Sequence, residues 1–322
     1  MNTEHNTINI SFIIPHKGRE ELLAQTLLSI NNQDYDLKKV QVLVVTQNPS
    51  LSAGTLPSNT ALNISTIIRP TGETISALRN QGAAQASGHY LAFLDADVEL
   101  SSNWITSMLE ELNAEPDRVL VSAIQQCAAA APPLEQIRTA LSNAHTDCNV
   151  RFLPGRNLFL TKSTFIAVGG FPEHLVTCED YYFTDRVHSL GTLYYSSKAT
   201  YIHLGEDKEY QAMFHKEIWR GQSNLQSIQG RPIPASEIPS FLTPIWILLF
   251  SVLTVIFFIT LHTTMALSCL LLTLLPIALY SLRLYKIAGG KIKMLQIIQF
   301  YLTYFPARII GTITGLFKVI SI

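Results

Sequence analysis

The feature that most constrains the fold of this chain is a long uncharged segment in its carboxyl-terminal third. Residues 241–282 contain no aspartate, glutamate, lysine or arginine. A helix needs about 20 apolar residues to cross the hydrocarbon core of a bilayer, so this segment is long enough for two spans. His262, Thr263 and Thr264 are predicted to form the turn between them. The alternative, a pair of core helices in a soluble domain, would require uncharged core helices of unusual length.

Basic residues follow this segment directly and indicate its orientation. They are Arg283, Lys286, Lys291 and Lys293. Cytoplasmic flanks of membrane spans are enriched in lysine and arginine, so this end is expected on the cytoplasmic side of the cell membrane. A two-span hairpin returns the chain to the side on which it started. The polar amino terminus, MNTEHNTINI, does not resemble a signal peptide, so the amino-terminal domain is expected in the cytoplasm.

The pattern of composition divides the chain into four parts. Residues 1–229 are predicted to form a folded domain, and the prolines of residues 230–244 predict a linker. Residues 245–285 are the two predicted transmembrane helices. Residues 286–322 are predicted to be a basic loop and an apolar helix. A proline and two cations interrupt that last apolar sequence, which favours an interfacial helix over a third span or a re-entrant segment.

The overall composition excludes several classes of protein. The formal net charge of −1 argues against a nucleic-acid-binding protein. Charged residues make up 15% of the chain and the mean hydropathy is +0.22, which is unusual for a wholly soluble protein. The four cysteines include no C-x-x-C pair. They are therefore predicted to be reduced thiols, and not a disulfide framework or a zinc site.

The amino-terminal domain alternates short apolar runs with helical patterns. Four runs are typical of strands: INISFIIP (8–15), KVQVLVVTQ (39–47), ISTIIRP (64–70) and HYLAFLDADV (89–98). Amphipathic or small-residue segments of helical length lie between most of them. Such an alternation predicts an α/β fold with a mainly parallel sheet flanked by helices.

Two aspartates stand at the end of the fourth predicted strand. Residues i and i+2 of a strand point to the same face, so Asp95 and Asp97 are expected to converge. Two adjacent carboxylates repel unless a cation or hydrogen-bond donors lie between them. Open α/β sheets bind ligands at this edge, and Mn²⁺ or Mg²⁺ with phosphate oxygens would suit two carboxylates. The alternative is a polar turn that caps the following helix.

Several stretches together resemble glycosyltransferase family 2, whose members have the GT-A fold. The first is ALRNQGAAQASGHYLAFLDADVEL, with Arg-Asn, small residues, and an apolar strand ending in D-x-D. SFIIPHKGREELLAQTLLSINNQDY resembles the family's first strand and helix. GRNLFLTKSTFIAVGGFPEHLVTCEDYYFTDRVHSLG resembles its acceptor-side segment. The resemblance covers residues 8–225 and implies transfer of a sugar from a nucleotide-diphosphate sugar.

The resemblance implies a set of residues on the donor side. Asp95 and Asp97 would serve the diphosphate, with Asp97 as the more direct metal ligand. His203 would complete the shell of Mn²⁺ or Mg²⁺, although a lone histidine is more often structural. The other residues implied to bind the donor are Pro15, His16, Arg19, Gln47, Arg79 and Arg220.

The same resemblance implies the residues of the acceptor side. Glu179 and Asp180 match the family's acidic pair, and Asp180 would take the proton of the attacking hydroxyl. A single displacement of this kind inverts the anomeric centre. An acidic pair that only stabilises a helix amino terminus is the structural alternative. The residues implied to line the acceptor are Gly169, Gly170, Phe171 and Trp219. A simple turn at the glycines, and a membrane-facing helix at the tryptophan, are their alternatives.

Two departures from the family pattern refine this hypothesis. The segment after the second strand reads VLVVTQNPS and lacks the acidic residue that often contacts the nucleotide base. The Q-x-x-R-W motif of processive synthases is also absent, which favours transfer of one sugar per encounter.

The sequence therefore predicts a membrane-anchored inverting glycosyltransferase acting on a lipid-linked or cell-envelope glycan acceptor. A catalytically silent scaffold or nucleotide-sugar sensor is the main alternative. A transporter or flippase component is less consistent with two spans that carry no charge.

Overall fold

The structure is a computed structural model in which residues 8–58, 60–222 and 238–320 are described. The chain divides into two compact units. One comprises residues 1–128 and 145–205, and the other comprises residues 129–144 and 206–322. The first unit therefore ends earlier than the predicted domain boundary at residue 229, and it leaves residues 129–144 to the second unit.

The described residues form nine strands and ten α-helices. The strands are β1 (Ile10–His16), β2 (Val40–Thr46), β3 (Asn63–Ile68), β4 (Tyr90–Leu94), β5 (Val98–Leu100), β6 (Arg118–Gln126), β7 (Cys148–Val150), β8 (Asn157–Thr161) and β9 (Thr192–His203). The helices are α1 (Glu20–Asn31), α2 (Ile75–Gln85), α3 (Trp104–Ala114), α4 (Pro133–Ser142), α5 (Lys162–Ala167), α6 (Glu179–His188), α7 (Tyr210–Gly221), α8 (Ile238–Ile259), α9 (Thr263–Ile287) and α10 (Met294–Ile320).

The strands of the first unit form one mixed sheet in the order β3-β2-β1-β4-β8-β6-β9-β5, and β7 pairs with β9. Strands β1 to β4 are mutually parallel, and β6 and β9 run in the same direction as they do. Strands β5, β7 and β8 run the opposite way. The carboxyl ends of β1, β2, β4 and β9 therefore meet one edge of the sheet, which is where open α/β sheets bind ligands. The predicted α/β class is confirmed.

Burial on both faces of the sheet explains the continuous apolar runs of the sequence. All seven residues of β1 and all seven of β2 are buried. One face packs around Phe12, Trp104 and Phe159, and the other packs around Phe93 and Phe183. Strands covered on both sides do not need polar residues at alternate positions, so they read as unbroken apolar segments.

The fourth strand ends earlier than the sequence predicts. Strand β4 stops at Leu94, and Asp95 to Asp97 lie in the turn before β5. Strand β4 lies between β1 and β8, whereas β5 pairs with β9 at the far side of the sheet. The chain must leave one set of neighbours to reach the other, and it does so at the two aspartates. The expectation that they converge through strand alternation is therefore wrong.

The carboxyl-terminal part of the second unit begins with the predicted helical hairpin, which is confirmed. Helices α8 and α9 are long and apolar enough to cross a membrane, with mean hydropathies of 2.5 and 2.1. Only 17% and 28% of their most apolar windows are buried within the molecule. A core helix of a soluble protein would be mostly buried, so the pair is compatible with membrane association. The turn between them is residues 260–262, two residues before the predicted position.

The predicted proline-rich linker, residues 230–244, overlaps the first of these helices. Residues 238–244 are helical, and Pro244 lies inside α8. Residues 230–237 lie outside the described residues. Pro239 is the second residue of α8, where N–H groups have no intrahelical partner, whereas Pro244 is the seventh residue and removes one backbone hydrogen bond from the helix. The prolines therefore do not keep the chain out of a helix up to residue 244.

Helix α10 packs closely against α7, and glycines make the contact possible. A methyl group at Gly311 would overlap the carbonyl oxygen of Ile218, and one at Gly315 would overlap the carbonyl oxygen of Gln222. Gly221 faces Gly311 across the contact. Because only a residue without Cβ permits this approach, α10 is fixed along α7. Its interfacial position in a membrane stays a prediction.

A buried ion network also joins the helices of the second unit. The Glu217 side chain is 2% exposed, and its Oε1 lies 2.5 Å from Arg138 Nη2 and 2.6 Å from Arg220 Nη1. Its Oε2 lies 3.5 Å from Arg308 Nη1. Burial alone would raise the pKa of Glu217, but the three guanidinium groups outweigh it and lower the pKa from 4.5 to about 2. The carboxylate thus joins α4, α7 and α10.

We expect Glu217→Gln to lower the free energy of unfolding by about 3 kcal/mol, the lower end for a broken buried ion pair, because Asp207 remains 2.8 Å from Arg138 as a second counter-charge. The folded pKa of Glu217 lies below its ordinary value of 4.5. Its stabilisation is therefore present above pH 4.5 and is lost as the pH falls towards 2. Thermal unfolding of the full chain in detergent should show a steeper acid decline for wild type than for Glu217→Gln. The exposed Glu209→Gln is the control, and a variant as stable as this control would contradict the prediction.

Candidate active site

A buried arginine forms the centre of the candidate site. The Arg79 side chain is 1% exposed, and its Nη2 donates to Asp95 Oδ1 at 2.9 Å. Its Nη1 donates to Glu179 Oε1 at 2.9 Å. The ring of Phe171 lies beneath it, with 4.9 Å from the guanidinium carbon to the ring centroid. One cation thus joins the turn after β4 to the first turn of α6.

The sequence of α2 explains how this arginine reaches the site. The Thr74 side chain caps the helix by accepting from the Ala77 N–H at 3.2 Å. Gly82 lies against the sheet, where an added Cβ would be 2.5 Å from Ile13 Cγ2. The small residue lets α2 lie close to β1 and β2, and this places Arg79 beneath the sheet edge.

The acidic pair lies in the first turn of α6, as the sequence predicts. Cys178 precedes it with φ of 64°, a left-handed conformation that is uncommon for a residue with a side chain. Burial raises the pKa of Glu179, the neighbouring Asp180 charge raises it further, and Arg79 lowers it, with a net value of about 7. Glu179 therefore changes its charge near neutral pH.

Gly155, which the sequence analysis did not single out, holds Asp180 in place. Its N–H donates to Asp180 Oδ2 at 3.1 Å, and its carbonyl oxygen accepts from Arg79 Nη2 at 3.2 Å. A Cβ at this position would lie 3.0 Å from both terminal nitrogens of Arg79 and from Asp180 Cβ. The backbone of Gly155 is therefore held between Arg79 and Asp180. The only sequence signal is the Pro-Gly pair in LPGRN.

Asp97 has a different set of partners from Asp95. Its Oδ2 accepts from Arg19 Nη2 at 2.8 Å, and its Oδ1 lies 3.4 Å from His203 Nε2. The pairing of Val98 with His203 in strands β5 and β9 creates this second contact. Burial would raise the pKa of Asp97, but the hydrogen bond and charge of His203, together with Arg19, lower it below its ordinary value. A methyl group at Gly205 would overlap Asp97 Oδ2.

These residues fit a divalent cation only in part. Among the described residues, no three His, Cys, Asp or Glu side chains are grouped closely enough to hold a metal ion. The predicted set of Asp95, Asp97 and His203 is therefore not assembled, because Asp95 turns towards Arg79. Asp97 and His203 still provide an oxygen and a nitrogen side by side. Such a pair suits Mn²⁺ or Mg²⁺ if phosphate oxygens and water supply the remaining ligands.

The tautomer of His203 limits its use as a ligand. Arg156 Nη1 lies 3.3 Å from His203 Nδ1, and a guanidinium group only donates hydrogen bonds. In the neutral form of the ring, Nδ1 is therefore the acceptor and Nε2 carries the proton that faces Asp97. A metal at Nε2 would have to replace that proton, so Asp97 is the better ligand of the two. Arg156 was not among the residues that the sequence suggested.

The donor-side residues at the ends of β1 and β2 are largely buried. Pro15 and His16 lie within the covered strand β1. His16 Nδ1 lies 2.9 Å from Thr46 Oγ1, whereas its buried Nε2 has no hydrogen-bond partner in the described residues. Burial lowers the pKa of His16, so the ring is neutral at pH 7. Gln47 Nε2 donates to the carbonyl oxygens of Pro70 and Glu73, both at 3.0 Å. Its amide therefore fixes a loop.

The acceptor-side glycines form the tight passage that the sequence suggests. Gly169 and Gly170 have φ of 78° and 75°, a region that favours glycine. Asn80 holds the next residue, since its Nδ2 donates to the Phe171 carbonyl and its Oδ1 accepts the Phe171 N–H, both at 2.9 Å. The Phe171 ring is 2% exposed and stacks on Phe183 at 4.0 Å. Its ring supports Arg79 from within the core, which corrects the expectation of an acceptor contact.

The last two predicted residues, Trp219 and Arg220, belong to the second unit. Trp219 lies on α7 and is 48% exposed. Arg220 lies beside it and pairs with Glu217. Their roles towards acceptor and donor stay predictions.

Comparison with known proteins identifies the family. Residues 11–170 match the family described as Glycosyl transferase family 2. Glycosyltransferase AglE of Haloferax volcanii is 25% identical over 194 residues, which are 56% of this chain and 62% of the relative. The GalNAc(5)-diNAcBac-PP-undecaprenol beta-1,3-glucosyltransferase of Campylobacter jejuni is 30% identical over 113 residues, 32% of this chain and 34% of the relative. This chain thus aligns with less than two thirds of either relative.

Two solved structures share the fold. The mannosyltransferase PcManGT of Pyrobaculum calidifontis, solved with GDP-Man and Mn²⁺, has a TM-score of 0.64 and 16% identity over 96% of this chain and 87% of that one. Residues 1–349 of TarS from S. aureus were solved with UDP-GlcNAc. They have a TM-score of 0.53 and 16% identity over 93% of this chain and 90% of that one. The predicted GT-A fold is confirmed. Residues 11–170 of this chain are therefore a domain of glycosyl transferase family 2.

Proposed function

We propose that this protein is an inverting glycosyltransferase that moves a sugar from a nucleotide-diphosphate sugar to an acceptor hydroxyl. The observation that carries the proposal is that Arg79 joins Asp95 of the D-x-D motif to Glu179 of the acidic pair, so that the two motifs lie at one site. Asp97 lies where the strand ends meet, and Asp180 is held by the Gly155 N–H at the start of α6. The family match and the two relatives named as glycosyltransferases support the reaction class.

On the donor side, the proposal assigns the diphosphate to the edge near Asp97. The Arg19 side chain is 60% exposed and reaches this aspartate, so its charge is available to phosphate oxygens. A bound Mn²⁺ or Mg²⁺, held by Asp97 with Asp95 and His203 nearby, would neutralise the diphosphate leaving group. The Mn²⁺ in the P. calidifontis mannosyltransferase supports a divalent ion. The buried His16 Nε2, which has no hydrogen-bond partner among the described residues, is a further polar group at this edge.

On the acceptor side, Asp180 is proposed as the general base. Its Oδ2 accepts from Gly155 and its Oδ1 accepts from the Tyr181 N–H at 2.8 Å. These two bonds orient the carboxylate. The acceptor hydroxyl attacks the anomeric carbon, Asp180 takes the hydroxyl proton, and the bond from that carbon to the phosphate oxygen breaks. A single displacement of this kind inverts the configuration. Glu179 holds Arg79 and does not take the proton.

The acceptor is proposed to be a lipid-linked or cell-envelope glycan. The apolar hairpin α8–α9 would confine the enzyme to the membrane surface on which such an acceptor lies. The name of the C. jejuni relative includes an undecaprenol-linked substrate, which supports this class. Gly169 and Gly170 are proposed to line the acceptor. The basic residues after the hairpin favour a catalytic domain on the cytoplasmic side of the cell membrane.

One observation favours a second function, a catalytically silent scaffold or nucleotide-sugar sensor. The place after β2 that often supplies a carboxylate to the nucleotide base here holds Gln47, whose amide fixes a loop. A protein that only binds the donor would not depend on Asp180. Replacing that residue therefore separates the two functions.

We expect Asp180→Asn to lower kcat by roughly 10²- to 10⁴-fold, which is the usual contribution of a general base. The asparagine keeps the hydrogen bond from Gly155, so donor binding should persist. Transfer from labelled nucleotide sugars to membrane extracts measures the rate, and calorimetry with a nucleotide diphosphate measures binding. Asp185→Asn on the same helix is the control. Unchanged transfer by Asp180→Asn would contradict the enzymatic proposal, and wild-type protein that binds donor without transfer would favour the sensor.

We also expect Gly155→Ala to lower kcat by roughly 10²-fold, because an added methyl group at 3.0 Å displaces Arg79 or Asp180. The KM for the donor should change little, since the donor lies at the other side of Arg79. Measuring Tm together with kcat separates an effect on stability from an effect on catalysis. A fall in Tm with an unchanged kcat would mean that Gly155 supports the fold alone.

Removal of divalent metal tests the role of Asp97. A chelator should abolish transfer, and Mn²⁺ or Mg²⁺ should restore it. Asp97→Asn keeps an oxygen for Arg19 but loses the anionic ligand, so it should need a higher metal concentration for half-maximal rate. Activity that persists in excess chelator would contradict metal dependence.

A further inference from the structure

Two aromatic rings stack beside the proposed base, and the site described above does not use them. Phe152 lies in the loop between β7 and β8, and Tyr181 is the third residue of α6. Their ring centroids are 5.0 Å apart, with an angle of 21° between the ring planes, which is a stacked arrangement. Phe152 is 36% exposed, and Tyr181 is half-buried. Part of this stacked pair therefore faces solvent.

The two rings belong to the segments that hold Asp180. The Tyr181 N–H donates to Asp180 Oδ1 at 2.8 Å. The Gly155 N–H donates to Asp180 Oδ2 at 3.1 Å, and Phe152 lies three residues before Gly155 in the same loop. Consecutive Cα atoms are about 3.8 Å apart, so both rings start from backbone positions near the carboxylate. A sugar that presents a hydroxyl to Asp180 therefore comes within reach of them.

Phe152 differs from the phenylalanines of the neighbouring core. That core contains four phenylalanines that contact one another and are at most 8% exposed: Phe93, Phe165, Phe171 and Phe183. Within residues 8–58, 60–222 and 238–320, the ring of Phe152 contacts only that of Tyr181. A single exposed phenylalanine is ordinary on a protein surface. An exposed ring stacked on the residue next to the proposed base is more specific, because the pair presents a flat apolar surface at a fixed place.

A flat aromatic surface suits the apolar face of a pyranose. The C–H groups of that face carry a small positive charge, and the face of an aromatic ring is negative. Stacking leaves the hydroxyls at the edge of the sugar free to approach Asp180. A polyprenyl phosphate without a sugar has no such face. Its attacking oxygen is already anionic, so it needs no general base to remove a proton.

We propose that Phe152 and Tyr181 bind the acceptor, and that the group bound there is a neutral pyranose. Its apolar face lies on the exposed part of the stacked rings, and one of its hydroxyls points to Asp180. This assignment deepens the proposed function and rests on it, because it names the class of group that carries the attacking hydroxyl. The transferred sugar is thus added to another sugar, and not to the phosphate of an unglycosylated polyprenyl lipid.

Four variants test the two rings. Phe152→Leu and Tyr181→Leu each remove one ring but keep an apolar side chain, and the backbone N–H of residue 181 remains to donate to Asp180. Phe152→Tyr keeps the ring. Tyr182→Leu is the matched control, since it removes a half-buried ring at the next position of α6 that lies outside the stack. Tm in detergent verifies that each variant is folded.

Saturation-transfer NMR of the full chain, in a detergent without a sugar head group, measures binding separately from catalysis. The probes are undecaprenyl phosphate and the methyl β-glycosides of glucose, galactose and N-acetylglucosamine. Wild type should bind at least one glycoside, with the strongest saturation on the C–H protons of one face. Each of the two stack variants with leucine should raise the dissociation constant for that glycoside by roughly threefold to tenfold, the range of an aromatic stacking contact. Phe152→Tyr and Tyr182→Leu should stay within about twofold of wild type, as changes outside a contact do.

Four results would overturn the proposal. Wild type that binds none of the glycosides would leave no sugar site. Unchanged binding in both Phe152→Leu and Tyr181→Leu would mean that the rings do not contact the sugar. An equal loss in Tyr182→Leu would mean a general disturbance of α6. Binding of undecaprenyl phosphate that depends on the two rings as strongly as glycoside binding would mean a surface for a lipid chain.

Transfer assays separate a failure of this acceptor site from a failure of the proposed reaction. With labelled nucleotide sugar and membrane extract, the two stack variants with leucine should need more extract for a half-maximal rate. Their binding of a nucleotide diphosphate, measured by calorimetry, should stay unchanged. Transfer that requires Asp180 but not the two rings would remove the acceptor site alone. Ring-dependent glycoside binding by a protein that transfers no sugar would remove the reaction and leave the sugar site.

Discussion

The buried guanidinium group of Arg79 is the charge on which the rest of the candidate site depends. A cation removed from water is stable only when counter-charges and hydrogen bonds replace its hydration. Here Asp95 and Glu179 provide the counter-charges, and the Gly155 carbonyl provides a further acceptor. Each of these groups comes from a different segment of the chain. The need to neutralise one arginine therefore fixes the turn after β4, the loop before β8 and the first turn of α6 relative to one another.

This arrangement gives the two aspartates of the D-x-D motif different tasks. Asp95 is committed to Arg79, so its position is set by the protein. Asp97 pairs with Arg19, whose side chain is 60% exposed and is held by few other contacts. Arg19 is thus accessible to an anionic ligand such as the proposed diphosphate, whereas Arg79 is 1% exposed. The topology of the sheet produces the difference, since the chain changes neighbours between β4 and β5 at these residues.

Local sequence patterns predicted the elements well and the contacts between them poorly. The apolar runs of β1 and β2, the acidic first turn of α6 and the uncharged hairpin all follow from residues adjacent in the chain. The contacts of Arg79 with Gly155 and with Glu179 join residues 76 and 100 positions apart. Hydrophobic periodicity describes neighbouring residues only, so it does not predict contacts over such separations. The sequence analysis noted the Arg-Asn pair that includes Asn80. The hydrogen bonds between Asn80 and Phe171 join residues 91 positions apart, so the pair alone does not predict them. The prediction that Asp95 and Asp97 converge assumed that both lie in one strand. It was wrong because β4 ends at Leu94, where the chain leaves its strand partners and β5 pairs with β9.

The second unit meets the opposite electrostatic problem, and its solution explains where free positive charge remains. There the buried charge is a carboxylate, Glu217, and arginines of α4, α7 and α10 surround it. A cation that reaches this carboxylate is held inside the helical packing, as Arg308 is. Arg283 and Lys286 in the last turns of α9, and Lys291 and Lys293 after it, make no ion pair with an acidic residue among those described, and all four are exposed. Asp207 is a second buried acid of this unit, and it pairs with Arg138 at 2.8 Å. Two buried carboxylates therefore hold the arginines of α4 and α7, and Arg308 joins α10 to one of them.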